Sequence, residues 1–285
     1  MRCLTPGTLE ELADALSQLT EKSEIVAGGT DYVIRARRDG LEPDVLLYLG
    51  RIPTLHELCL GERELRVGAM VTMRELAEGL EAVPEFRAIA DAACDVGSPQ
   101  IRNKATMVGN LCNASPAGDM LPVSWLYDAK MELLCADGST CLVPVSEFIL
   151  GPQKNALERG QAVISVLMDR RPVEGCISAF KKIGSRERVS ISREGIAASV
   201  RFGKDGTIAQ TRLTLGAVAA TPLRIPEAEA MMEGRRLEDG ELLADVTRVV
   251  ARMIHENCRP ANRQYKTEAA RGLTADLFMQ LKERM

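Results

Sequence analysis

A chain of 285 residues with 46% hydrophobic and 27% charged side chains can bury the core of one large or two medium-sized domains. Thirty-six basic against forty acidic residues leave a net charge of -4, which gives no general attraction to phosphate backbones or anionic lipid and argues against nucleic acid or membrane as partners. No apolar run approaches the ~20 residues needed to cross a bilayer, and the opening MRCLTPGTLEELADAL lacks the basic-then-apolar order of a leader, so the expected location is the cytoplasm.

The eight cysteines are scattered without a C-x-x-C, so no zinc ribbon or ferredoxin-type cluster loop is written here. His56 and His255, the two histidines, stand outside any metal-ligand spacing.

Thr8 and Glu11 form a capping-box pattern ahead of Leu9, Leu12, Ala13, Leu16 and Leu19, which predicts a first helix. Ser23 to Ala27 reads as a strand running into Gly28-Gly29-Thr30-Asp31, with a helix from Tyr32 to Arg38. Glu64 to Met70 alternates as a strand, Thr72-x-x-Glu75 is a second capping box, and Pro84 separates that helix from one over Glu85 to Cys94. Between Val96 and Pro122 turn-forming residues crowd together, which predicts a long ordered loop system and no helix. Trp125 to Cys135 and Thr140 to Val145 return to regular structure around an Asp137-Gly138 hairpin signal. After a domain boundary near Pro172, Ala179 to Gly184, Ile196 to Phe202 and Ile208 to Ala217 predict three antiparallel strands. Glu241 to Ile254 and Thr267 to Lys282 predict two helices.

Two stretches bear on chemistry. In Val26 to Tyr32, two glycines let backbone amides approach a diphosphate with no β-carbon in the way, and Thr30 adds a hydroxyl; a plain turn after a strand has the same composition. In Gly97 to Asp119, a long segment dense in donors and glycines needs something to offset its ordering entropy, either a large ligand threaded along it or its own packing. No G-x-G-x-x-G of the Rossmann type accompanies them.

Together the two stretches resemble the FAD subunits of the xanthine dehydrogenase and carbon monoxide dehydrogenase family, which carry A-G-G-T-D and then Q-I-R-N-x-A-T-x-G-G-N-x-x-N-x-S-P-x-x-D. The likeness continues through Leu150-Gly151-Pro152 and Ser178-Ala179-Phe180-Lys181-Lys182 to the Leu215–Arg224 stretch, nearly the whole chain. It implies an α+β fold: a two-part FAD-binding domain of the vanillyl-alcohol-oxidase (PCMH) type over 1–171, then a small domain over 172–285 of the carbon monoxide dehydrogenase flavoprotein C-terminal type, with a three-stranded antiparallel sheet and a helical bundle.

By that resemblance Val26, Ala27, Gly28, Gly29, Thr30, Asp31 and Tyr32, with Thr106, Gly109 and Asn110, cradle the pyrophosphate and ribityl chain of FAD, and Asp119 anchors its hydroxyls. Asn113 and Ser115 extend the second motif. Val96, Cys112 and Ile191 lie near the isoalloxazine, and Ile164 and Lys181 fall in stretches that contact the flavin, where a lysine would raise the potential of the ring. Cys112 is expected to pack as an apolar residue and not to act in redox chemistry. Where the family has two glycines this chain has Val108-Gly109, which predicts crowding of the diphosphate.

The resemblance implies electron transfer from [2Fe-2S] clusters on an iron-sulfur partner, through FAD on this chain, to an acceptor such as NAD, with substrate oxidised at a molybdopterin subunit. A free-standing flavin reductase or oxidase on the same fold, and a flavin-free assembly subunit, are the alternatives.

Overall fold

The computed structural model describes residues 1–186 and 189–285. In chain order it has β1 (Arg2–Leu4), α1 (Leu9–Leu16), β2 (Glu24–Val26), α2 (Tyr32–Asp39), β3 (Val45–Tyr48), β4 (Leu58–Leu60), β5 (Glu64–Gly68), α3 (Met73–Leu80) and α4 (Arg87–Asp95). Three short helices follow, α5 (Pro99–Arg102), α6 (Met107–Asn113) and α7 (Met120–Leu126), then β6 (Lys130–Cys135), β7 (Thr140–Pro144), α8 (Val145–Phe148), β8 (Ile149–Gly151), β9 (Lys154–Asn155) and β10 (Gln161–Asp169). The remainder is β11 (Ile177–Gly184), β12 (Ser192–Phe202), β13 (Ile208–Gly216), β14 (Leu223–Arg224), α9 (Pro226–Met232), α10 (Gly240–Asn257) and α11 (Pro260–Lys282).

Local chemistry sets the helix starts. The Thr8 hydroxyl accepts the Glu11 amide at 3.2 Å, but the Glu11 carboxylate takes the Gly7 amide at 2.6 Å, so the expected reciprocal box is only half made. At Thr72 the box is complete, with Glu75 returning to the Thr72 amide at 2.8 Å; a cap of this kind stabilises a helix by about 1 kcal/mol.

The region expected to lack helix holds three. Its turn formers sit at the helix ends: Ser98 caps α5 with Pro99 in the first turn, Thr106 caps α6, and Ala114 closes α6 in the left-handed conformation at φ 49°. Tyr127 and Asp128 break the Trp125–Cys135 stretch into the end of α7 and the start of β6, with Asp128 at φ 47°.

Among the described residues the first part of the chain contains two larger sheets and the two-stranded β8–β9 hairpin. A parallel three-stranded sheet has the order β1-β3-β2, and an antiparallel five-stranded sheet has the order β4-β5-β10-β6-β7. One apolar core unites them with α1, α3, α4, α6 and α7.

The second part is an antiparallel sheet of order β11-β12-β13-β14, one two-residue edge strand more than the three expected. The period-two alternation of its strands serves two masters. Phe180 and Ala197 join the first core, while Ala179, Ile196, Ala198 and Val200 face the second core under α9, α10 and α11. Polar ties fix the junction: Asp91 on α4 receives the Phe180 amide at 3.1 Å and the Arg284 guanidinium at 2.8 Å, and the Thr214 hydroxyl donates to the Pro122 carbonyl at 2.9 Å.

Inside the second core Glu194 is wholly buried, and among the described residues neither carboxylate oxygen has a hydrogen-bond partner. Burial pushes its carboxyl up to about 7, against the pull of the Lys266 charge. An acid raised in the folded state stabilises the fold only while protonated, so the contribution present below the ordinary glutamate value of 4.5 is lost as pH rises through about 7. Glu194→Gln is therefore expected to gain stability over the parent between acid and mildly alkaline pH, by roughly 1–3 kcal/mol, read as the difference in urea midpoints at the two pH values.

Candidate FAD site

Two glycine-bearing segments meet at one point. Gly28 follows β2, and a β-carbon built on it would lie 1.7 Å from the Lys104 carbonyl oxygen and 2.6 Å from its carbon. Any larger residue would force the two segments apart. Gly29, at φ 72°, turns the chain away from the sheet and into α2.

The second segment is held from several sides. Arg102 donates to the Gly97 carbonyl at 2.9 Å, the Met73 amide to the Ala105 carbonyl at 2.8 Å, and the Gly109 amide to the Thr106 hydroxyl at 3.0 Å. From the far side the Asn155 side-chain amide donates to the Cys112 carbonyl at 2.6 Å, and the Gln153 backbone amide to the Ala114 carbonyl at 2.9 Å.

Between these segments lies a cavity of about 1160 Å³. That exceeds the ~300–1000 Å³ common for small-molecule sites and has room for a dinucleotide. Val26, Ala27, Gly28, Gly29, Thr30, Asp31, Tyr32, Val96, Thr106, Gly109, Asn110, Cys112 and Asn113 all line it. Among the described residues the amides of Gly28, Gly29, Thr30 and Asp31 donate to no protein acceptor, so they stand free for a ligand's oxygens. Gly28 and Gly109 thus face one space, and the residues present fit an FAD diphosphate.

Five expected site residues do not line the cavity. Ile164 occupies the β10 bulge between Val163 and Ser165, which turns it into the core at 2% exposure, while its neighbours Ala162 and Val163 do line the cavity. Ser115 lies in the turn after α6, its carbonyl taken by the Gly118 amide at 2.8 Å. Ile191 precedes β12 and is 80% exposed. Lys181 pairs with Ile196 on the face of the sheet turned to the second core. Its neighbour Lys182 points the other way, and its ammonium lies 2.7 Å from Asp119 Oδ2.

Asp119 is buried one step behind the cavity wall. Its second oxygen accepts from the Ser192 hydroxyl, and the next residue, Met120, donates its amide to Asn110 Oδ1 at 3.4 Å. Burial pushes its carboxyl up, while Lys182 and Ser192 pull it back.

Val108 touches the cavity, yet its side chain is 3% exposed and belongs to the first core. The crowding expected there is relieved because α6 directs the branched side chain inward. Sequence reading missed Arg35 and Arg38, which line the cavity from α2; their spacing of three, with Asp31 four residues before Arg35, was the available signal. It also missed Gln161, Ala162 and Val163, because β10, apolar on both faces apart from buried Ser165 and its two ends, shows no alternation that marks an inward face.

The fold and cavity define a two-part dinucleotide-binding domain with an accessory sheet-and-helix domain. Comparison with known proteins gives the family: residues 1–168 match the FAD binding domain in molybdopterin dehydrogenase, and residues 178–281 the CO dehydrogenase flavoprotein C-terminal domain. The chain belongs to that FAD-binding family, as an oxidoreductase component.

It is 32% identical over 221 residues to the xanthine dehydrogenase FAD-binding subunit of Escherichia coli O157:H7, covering 76% of this chain and 75% of the relative. It is 29% identical over 289 residues to the nicotinate dehydrogenase FAD-subunit of Eubacterium barkeri, covering 98% and 95%. The fold matches a chain of the reconstituted CO dehydrogenase from Oligotropha carboxidovorans at TM-score 0.87 and 22% identity, covering 100% of this chain and 98% of that one.

Two outcomes test the site. Gly28→Ala is expected to abolish FAD retention and lower the melting temperature, because the added methyl has no space against the Lys104 carbonyl; flavin absorbance of the purified variant checks it. Burial pushes the Cys112 thiol up to about 12, so at mildly alkaline pH iodoacetamide is expected to label exposed Cys3 and Cys59 and spare Cys112, as read by peptide mass.

Proposed function

We propose that this chain holds FAD in the cavity between its two glycine segments and passes electrons from [2Fe-2S] clusters of an iron-sulfur partner subunit to NAD or another acceptor, within a complex whose molybdopterin subunit oxidises the substrate. One observation carries this reading: Gly28 and Gly109 line one cavity of dinucleotide size, bordered by amides that no protein group uses. Bound FAD would supply the chemistry of accepting and releasing electrons. The chain's part is to bind and orient it: the amides of Gly28 to Asp31 with Thr106, Gly109 and Asn110 on the diphosphate and ribityl chain, Asp119 behind them, and Val96 and Cys112 on the cavity wall along the flavin.

The partners are inferred from this chain's relatives, which include subunits named for xanthine and nicotinate dehydrogenases. The match to the xanthine dehydrogenase of Oryza sativa covers 77% of this chain and only 17% of that protein, consistent with one module of a larger enzyme. Val108 does not favour a flavin-free subunit, because its side chain is packed in the core.

The purified chain is expected to be yellow, with stoichiometric flavin that dithionite bleaches. In the complex isolated with its partners, anaerobic addition of NAD is expected to restore the flavin absorbance. A folded chain that stays colourless with added FAD overturns the reading, and reoxidation by other acceptors but not by NAD removes NAD from it.

A further inference from the structure

Lys182 projects from β11 of the second domain into the first, and its side chain is only 9% exposed. Its ammonium reaches three acceptors: the Asp119 carboxylate at 2.7 Å, the Asp95 carbonyl at 2.7 Å and the Ser190 carbonyl at 3.4 Å. That uses every N–H it has. Asp95 ends α4 and immediately precedes Val96, which lines the cavity; Asp119 immediately precedes Met120, whose amide bonds the cavity residue Asn110. One ammonium group therefore stands behind two separate points of the cavity wall, one residue from Val96 and, through Met120, one hydrogen bond from Asn110.

We propose that Lys182 is a positioning residue, which binds the ends of the α4 and α6–α7 segments together from behind and so sets where Val96 and Asn110 meet the cofactor. The proposal rests on the flavin reading above. A buried ammonium and carboxylate are expensive to desolvate, and a well-packed apolar pair often serves stability as well. The geometry of the pair points to placement of the wall, since one bond of Lys182 within the first domain ends next to cavity-lining Val96 and the other next to Met120, whose amide holds cavity-lining Asn110. The groups facing Asp119 are Lys182 from β11, Ser192 from β12 and, more distantly, the Asp95 carboxylate from α4.

The test compares the full-length parent with Lys182→Met and Lys182→Arg by FAD titration, following flavin fluorescence across the neutral range, and by thermal unfolding without flavin. Lys182→Met is expected to bind FAD about tenfold more weakly, the order of one lost charged hydrogen bond. Its affinity should also fall further below the parent's as pH rises, because Asp119 ionising without its counter-charge disturbs the wall behind which it is buried. Lys182→Arg is expected to restore most of the affinity. Without flavin, the melting-temperature gap between parent and Lys182→Met should widen from acid to alkaline pH: the Asp119 carboxyl, raised further above its unfolded value, destabilises the fold more as it is forced to ionise.

A widening gap accompanied by parent-like FAD affinity and pH profile overturns the proposal, since the ion pair would then be structural alone. A parent that takes up no flavin overturns the underlying reading, and is recognised before any variant is measured. If Lys182→Met does not fold, Lys182→Gln carries the same comparison.

Discussion

The architecture turns on the contact between the α-carbon of Gly28 and the carbonyl of Lys104. Residues seventy-six apart in sequence approach so closely that a single methyl group would collide with backbone, and backbone cannot rotate away as a side chain can. The contact brings the exit of β2 against the approach to α6, and each segment then presents its free polar groups to the same space. Neither makes a site alone: the first is a turn with unused amides, the second a chain of short helices.

Holding that space open has a physical cost, because a cavity of this size forgoes the dispersion contacts that fill the rest of the core. The walls are correspondingly braced. The β8–β9 hairpin leans over α6 and is fixed there by Asn155 and Gln153, Arg102 ties the turn at Gly97, and Thr106 both caps α6 and lies in a bridge with Thr72. The same bracing explains why valine is accommodated at position 108. Near the start of a helix that rests on the core, its side chain has an apolar destination, and the following Gly109 keeps the surface of the cavity slim.

The site was legible through the family resemblance of its two motifs, since either motif read by itself also fits a plain turn or a self-packed loop, and thirteen of the residues named on that resemblance line the cavity. The departures have separate causes. Turn formers between Val96 and Pro122 were read as excluding helix, whereas Ser98, Thr106 and Ala114 use the same chemistry to begin and end helices of four and seven residues, too short for a periodic signal. β10 escaped notice because a central strand covered on both faces shows no alternation. Ile164 went astray by the single residue of a bulge, which no composition announces.

The lysine pair on β11 shows how function can hinge on parity. Consecutive residues of a strand face opposite ways, so Lys181 and Lys182 are nearly equivalent in sequence and belong to different domains in space. Phe180 fixes which is which: its ring belongs to the first core, and Lys182, two residues on, must follow it to the same face. Among the described residues the cavity is lined wholly by ones before Asp169, so the second domain meets it only indirectly, through that face of the sheet. A sheet with one side in each core couples the two domains mechanically: a shift of β11 that repacks Phe180 would also move Lys182, and with it Asp119 and Asp95, toward or away from the wall they support.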